Sequence, residues 1–308
     1  MAVILAAATP AAAASDCSAL VAAFDRAVGE KSIEGEVAAA DAIRDDPVCG
    51  AGKEEFDHRL IDSMIALAGD PQVTADQRGK ALERAERMVD THAGWREAQR
   101  LADLFARMHD NQKAFEWYEK SLSFASSRPL EPAAKEDLQR LRTRAVAAQL
   151  LAIGEGTSKN PAAFVNTQRG MDVPVSGVYS GNLTPGGGGQ AIRLPLYFDD
   201  GQAALSDAGE KALDEVRTAL IEQSIKSMTL VGHADPRGDR RSNLDLSLRR
   251  AEAVRDYLTK HGVTARIEVN GVGADQPFDA SSLDRPVSAE EERALDRGVD
   301  LVPEAAPD

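Results

Sequence analysis

Apolar residues recur at helical spacing through the first half of the chain. Leu20, Val21, Phe24 and Val28 form one stripe, Phe56, Leu60, Met64 and Leu67 a second, and Ala81, Ala85 and Met88 a third. The clearest pair is Trp95, Ala98, Leu101, Ala102 and Phe105, followed by Ala114, Tyr118, Ser121 and Leu122. Residues three and four apart share one helix face, so the stretch from about 18 to 153 reads as helices almost throughout. Gly69-Asp70-Pro71 would end one helix early, and Glu131 to Leu151 would form a closing helix started by Pro129 and Pro132.

The pattern changes between 154 and 190. Gly154, Gly156, Pro161, Gly170, Pro174, Gly177, Gly181 and Pro185 break any helix, and Gly186 to Gly189 form a flexible run. A phosphate-binding loop would need Gly-Lys-Ser/Thr at its end, and Gln190-Ala191-Ile192 follows instead, so this run reads as a hinge. Strands then alternate with helices. Ile192 to Phe198 alternates like a strand, and Ser206 would cap a helix through Glu222, with Leu213, Val216 and Leu220 on one face. Ser227 to Gly232 reads as a strand, Leu246 to Lys260 as a helix, Arg266 to Gly271 as a strand, Ala289 to Leu295 as a short helix, and Gly298 to Val302 as a last strand. The order β-α-β-α-β-(α)-β predicts helices on one mixed sheet. The expected chain is thus multi-domain: an all-α N-terminal domain over 15–153, a linker over 154–190, an α/β (α+β) domain over 191–302 and a tail over 303–308.

Small residues at 102, 114 and 121 fall where two antiparallel helices would cross closely. With Trp95 as the first position, Ala102, Phe105, Ala114, Tyr118 and Ser121 occupy small, aromatic, small, aromatic and small positions. This layout resembles a tetratricopeptide repeat, and 58–94 resembles a degenerate preceding unit. A generic helical hairpin bundle is the alternative reading.

Composition sharpens the picture. Lys+Arg number 36 against 50 Asp+Glu, a net charge of -14, which argues against a general nucleic-acid binder. Aromatic residues are only 5%, so the cores must be built mainly from Ala, Leu and Val. Residues 1–14 are apolar and small, and Ala12-Ala13-Ala14 fits a secretory cleavage pattern with Ser15 as the first mature residue. No Lys or Arg precedes the apolar run, and a disordered Ala-rich tail is the alternative. This run is far short of the ~20 apolar residues that span a bilayer, and no later segment qualifies. In an exported chain the only two cysteines, Cys17 and Cys49, read as one disulfide, which would contribute ~3 kcal/mol; two unpaired buried thiols are the alternative. Ala14-Ser15-Asp16 does not fit a lipid-anchor signal on Cys17.

The stretch richest in chemistry leaves a strand, crosses a polar loop and enters a helix: Gly232-His233-Ala234-Asp235-Pro236-Arg237-Gly238, Asn243, then Leu246-Ser247-Leu248-Arg249-Arg250-Ala251. It resembles the C-terminal peptidoglycan-binding domain of the OmpA family, whose pattern is Gly-His-Thr-Asp-x-x-Gly, Asn, Leu-Ser-x-x-Arg-Ala. Phe198-Asp199, Tyr257-Leu258, Gly262-Val263, Gly271-Val272-Gly273 and Gln276-Pro277 match in order, so the resemblance spans about 192 to 302. Ala234 replaces the usual Thr. The family's Asn-Arg-Arg-Val stands here as Asp296-Arg297-Gly298-Val299, which would weaken a secondary contact.

The resemblance implies non-covalent binding of the diaminopimelate in the cell-wall stem peptide, through Asp235 and Arg250, with Gly238, Asn243, Ser247 and Arg297 in support. An Arg fork suits a carboxylate and an Asp suits an ammonium. Backbone N–H groups at the helix N-terminus before Arg250 would assist with an anion. Both site side chains are expected to be partly exposed, so that either could be removed without unfolding the domain. Arg237, Arg240, Arg241, Arg249, Arg250 and Arg255 form a basic island in an acidic chain, which would attract carboxylates. The plain alternative is a solvated helix face with Asp235 and Arg250 paired to each other.

His58, His92, His109, His233 and His261 make no metal-ligand pair, there is no Gly-x-Ser-x-Gly elbow, and no cofactor or metal is implied. The reading is a non-catalytic tether, periplasmic and wall-associated, peripheral to the outer membrane. It would grip peptidoglycan with its C-terminal domain and hold an unknown protein partner with its helices. The alternative is an assembly scaffold whose OmpA-like domain has lost its ligand.

Overall fold

The computed structural model describes residues 17–92, 94–127, 135–154, 191–194 and 196–304. The expected leader over 1–14, most of the linker and the hinge glycines lie outside the described residues. Two compact units make up the chain, Met1–Ala93 and Gly94–Asp308. The division falls inside the stretch expected to be a single helical domain.

The first unit holds four helices: α1 Cys17–Gly29, α2 Ile33–Asp45, α3 Lys53–Gly69 and α4 Ala75–His92. Ser32 caps α2 by accepting from the Gly35 amide at 3.1 Å. Helix α3 ends at Gly69, where Asp70-Pro71 was expected to stop it. The predicted stripes become core: Leu60, Met64, Leu67, Ala81, Ala85 and Met88 are buried. From the first stripe only Phe24 is buried, edge-on to Phe56 with ring centroids 5.8 Å apart. Cys17 and Cys49 form a disulfide, with Cα atoms 5.5 Å apart.

The second unit begins with α5 Trp95–Arg107, α6 Asn111–Ser127 and α7 Lys135–Gly154. All nine residues of the clearest predicted pair, from Trp95 to Leu122, are buried. The Ser121 hydroxyl donates to the Trp95 carbonyl at 2.7 Å, which explains a polar residue at a close crossing. After the linker come β1 Ile192–Arg193, α8 Asp207–Glu222, β2 Ser227–His233, α9 Arg240–Lys260, β3 Arg266–Gly271, α10 Ala289–Asp296 and β4 Gly298–Pro303. The sheet order is β1-β4-β2-β3, with β2 and β3 parallel and the other pairs antiparallel. This mixed sheet matches the predicted element order.

Two boundaries differ from expectation. The first strand was predicted to run to Phe198, but its ladder ends at Arg193. Leu194, Leu196 and Phe198 are still buried, yet the Leu196 amide bonds locally to the Leu194 carbonyl instead of extending the sheet. Helix α9 starts six residues earlier than Leu246, because the Asp239 carboxylate caps the amides of Arg241 and Ser242 at 3.0 Å.

Gly232 and Gly271 pair across β2 and β3 and let α9 lie against both strands. A Cβ on Gly232 would sit 1.8 Å from the Ser247 carbonyl oxygen, and one on Gly271 would sit 2.5 Å from the Leu248 amide nitrogen. Only glycine permits this approach.

Helices α5 to α7 belong to the same unit as the sheet because of a buried polar clamp. Arg144 donates to both Asp103 carboxylate oxygens at 2.8 and 2.9 Å, and through Nε to the Ser282 carbonyl at 2.7 Å. The Tyr118 hydroxyl donates to Asp103 at 2.5 Å, while Arg107 pairs with Asp284 and Arg285 donates to Asn111 at 3.4 Å. Burial pushes the Asp103 carboxyl up, against the pull of Tyr118 and Arg144. None of the described helices is long and apolar enough to cross a membrane.

Candidate ligand-binding site

The site lies where β2 ends and α9 begins. The Ala234 amide donates to the Gly273 carbonyl at 2.9 Å, which continues the strand edge to Asp235. The chain then turns through Gly238, whose φ of +88 suits glycine. Asn243 fixes this loop from the first turn of α9: its Nδ2 donates to the Asp235 carbonyl at 3.1 Å. Ser247 joins α9 to the next loop, donating to the Leu244 carbonyl and accepting from the Gly273 amide, both at 2.9 Å. The predicted supporting residues therefore build the loop geometry.

Asp235 is buried and its carboxylate is fully engaged. Arg237 binds it through the backbone amide at 3.1 Å and through Nε and Nη2 at 3.0 Å each. Arg297 binds it through Nη1 at 3.1 Å and donates from Nε to the Phe198 carbonyl at 2.9 Å. Burial pushes the Asp235 carboxyl up, but the hydrogen bonds from Arg237 and Arg297 outweigh it and hold the group at about 2. Arg297 is thus no peripheral contact. It is the buried counter-charge of Asp235.

Arg250 departs from the expected partial exposure, with 0% of its surface accessible. It donates through Nε to the Gln202 carbonyl at 2.8 Å, through Nη1 to the His233 carbonyl at 2.9 Å and through Nη2 to the Asp199 carbonyl at 3.2 Å. Its guanidinium also lies 4.9 Å from the Phe198 ring centroid. Burial, and then the neighbouring Arg297 charge, lower its value to about 10. A guanidinium carries five N–H groups, and three of them are spent on these carbonyls. Arg250 sits three turns inside α9, and Asp239 already satisfies amides at the helix start. The helix N-terminus is therefore not the expected anion donor.

The basic island is largely neutralised. Arg240 pairs with Asp275, Arg249 with Asp245, Arg255 with Asp256, and Arg237 with Asp235 and Asp200. Among the described residues, Arg241 and Arg250 of this group have no carboxylate in ion-pair contact, Arg250 being spent on carbonyls. Sequence reasoning also missed a second buried set. His233 Nε2 lies 3.1 Å from Asp300, Asp300 lies 2.6 Å from Arg193, and His233 Nδ1 lies 3.1 Å from the Gln276 carbonyl. Arg193 takes the space that Gly298 leaves open, since a Cβ there would meet the Arg193 Nη1 at 2.3 Å. The glycine that departs from the family pattern thus admits an arginine from β1. Asp296, at the other departure, accepts from the Phe278 amide at 2.8 Å.

The family model described as the OmpA family matches residues 197–291. The peptidoglycan-associated lipoprotein of Pseudomonas aeruginosa is 31% identical over 136 residues, covering 42% of this chain and 80% of that protein. The outer membrane protein A of Yersinia pseudotuberculosis is 34% identical over 96 residues, covering 30% of this chain and 27% of that protein. The peptidoglycan-associated lipoprotein of Rhizobium meliloti is 35% identical, and 47% of it is covered, so the chain spans less than half the length of these last two relatives. The crystal structure of the peptidoglycan-associated lipoprotein from Burkholderia pseudomallei aligns over 35% of this chain and 88% of that one, at 27% identity and a TM-score of 0.31.

Proposed function

The chain belongs to the OmpA family through its C-terminal domain, and on that premise we propose that it is a non-catalytic peptidoglycan-binding protein of a Gram-negative cell envelope. One observation carries the reading: a carboxylate held ionised at a strand exit, Asp235, lies beside the buried guanidinium of Arg250 in the family's ordered pattern. The ligand is the diaminopimelate of the stem peptide, which offers an ammonium and a carboxylate at one carbon. Asp235 accepts from the ammonium, and the positive charge of the buried Arg250 attracts the carboxylate. Gly238, Asn243 and Ser247 hold the loop, and Arg297 keeps Asp235 ionised. Binding falls to residues 191–302. The helices, arranged as tetratricopeptide-like repeats, hold a protein partner. A leader over 1–14 places the mature chain in the periplasm against the wall, where the Cys17–Cys49 disulfide is at home.

Saturation of Asp235 by two arginines favours a second reading, an envelope scaffold whose OmpA-like domain no longer takes the ligand. Sedimentation of the purified protein with insoluble peptidoglycan decides between them. The binding reading expects wild type in the pellet and Asp235→Ala in the supernatant. Wild type left in the supernatant, or Asp235→Ala pelleting as wild type does, overturns it.

A further inference from the structure

The group that fills the Asp235 carboxylate comes from the chain itself. Three donors of Arg237 reach the two carboxylate oxygens, and Arg297 supplies a fourth bond. Asp235, Arg250 and Arg297 are all buried, whereas the Arg237 side chain is 46% exposed. An incoming ammonium therefore meets acceptors that are already taken, and one of the two occupants has to leave.

The two occupants are not equally free to go. Arg297 is buried and tied by its Nε to the Phe198 carbonyl. Moving it would strand a charge in the interior. Beyond the Asp235 carboxylate, among the described residues the Arg237 side chain has one further carboxylate in contact, Asp200 at 2.9 Å, and Asp200 is 68% exposed. When Arg237 swings out, its guanidinium passes to water with little loss. Arg237 also brings the same charge and N–H donors that a ligand cation brings to the same oxygens.

We propose that Arg237 is an internal competitor that occupies the ammonium position of the site and sets its affinity. This rests on the Asp235 reading above. The ligand binds only molecules whose Arg237 has swung away, so the apparent dissociation constant is the intrinsic one divided by the open fraction. A half-exposed ion pair closes such a site by up to about fivefold. Asp200 adds to the closure by holding the outer side of the guanidinium.

The test is a binding isotherm of the full chain on insoluble peptidoglycan, comparing wild type with Arg237→Ala, Asp200→Ala and Asp235→Ala. Arg237→Ala is expected to bind more tightly, by up to about fivefold. Asp200→Ala should shift the same way by less, and Asp235→Ala should not bind. If wild type binds and Arg237→Ala binds equally or more weakly, the competitor is overturned while the Asp235 reading stands. If neither binds, both fail together.

Discussion

Arg250 is the residue whose replacement best separates holding the fold from holding a ligand. Arg250→Ala removes three charged hydrogen bonds to the carbonyls of Gln202, His233 and Asp199. Each such bond contributes about 1.5–3 kcal/mol, so simple addition would give a loss above about 4 kcal/mol. Part of that is already spent against desolvation, because burial lowers the guanidinium to about 10. The net loss should lie near the low end of the range for breaking a buried charged network, about 3 kcal/mol. For a unit of this size that corresponds to a fall of about 6–12 °C in melting temperature. Arg250→Lys keeps the charge, but one ammonium cannot span three diverging carbonyls, so it should fall between wild type and Ala. Differential scanning calorimetry of the full chain reads both variants. An Arg250→Ala protein that melts within about 1 °C of wild type would show that the three bonds do not hold the domain, and the argument from burial would fail.

Two further outcomes follow from groups outside that network. Asp235 is held at about 2 against an ordinary 3.8, so its stabilisation is complete above about pH 4 and is lost as the pH falls towards 2. The difference in unfolding free energy between wild type and Asp235→Asn should shrink through that window, and a pH-independent difference in denaturant titrations would refute the pairing. Replacing Cys17 and Cys49 by Ser opens a loop with a sequence separation of 32 and should cost the first unit about 3–4 kcal/mol. An unchanged urea midpoint for that unit would contradict it.

Much of the architecture was legible because burial follows periodicity. The stripe from Trp95 to Leu122 needed only helical spacing, and the strands at 227–233 and 266–271 needed only alternation bounded by polar turns. The early start of α9 was written in Asp239, a capping residue, but Arg240 to Asp245 carries no apolar pattern to reveal a helix. The site was legible as a set of residues and not as a geometry. Arginine is normally a surface residue, so nothing local marks Arg250 as buried; its three acceptors come from the end of β2 and the segment before α8, 17 to 51 residues away. The pairing of Arg237 with Asp235 was within reach, since the two lie two residues apart before a glycine turn. The clamp from Arg144 to Ser282 joins positions 138 apart, and no local signal announces it.

That clamp bears on how the second unit would carry a load. Tension arriving on α5 passes from Asp103 to Arg144, and from Arg144 to the backbone at Ser282, a few residues before α10 and the arginine that holds Asp235. The ion pairs thus join helices and sheet by a route that does not run along the chain. A pull on the helices is then shared by the sheet at the place where the wall would be gripped.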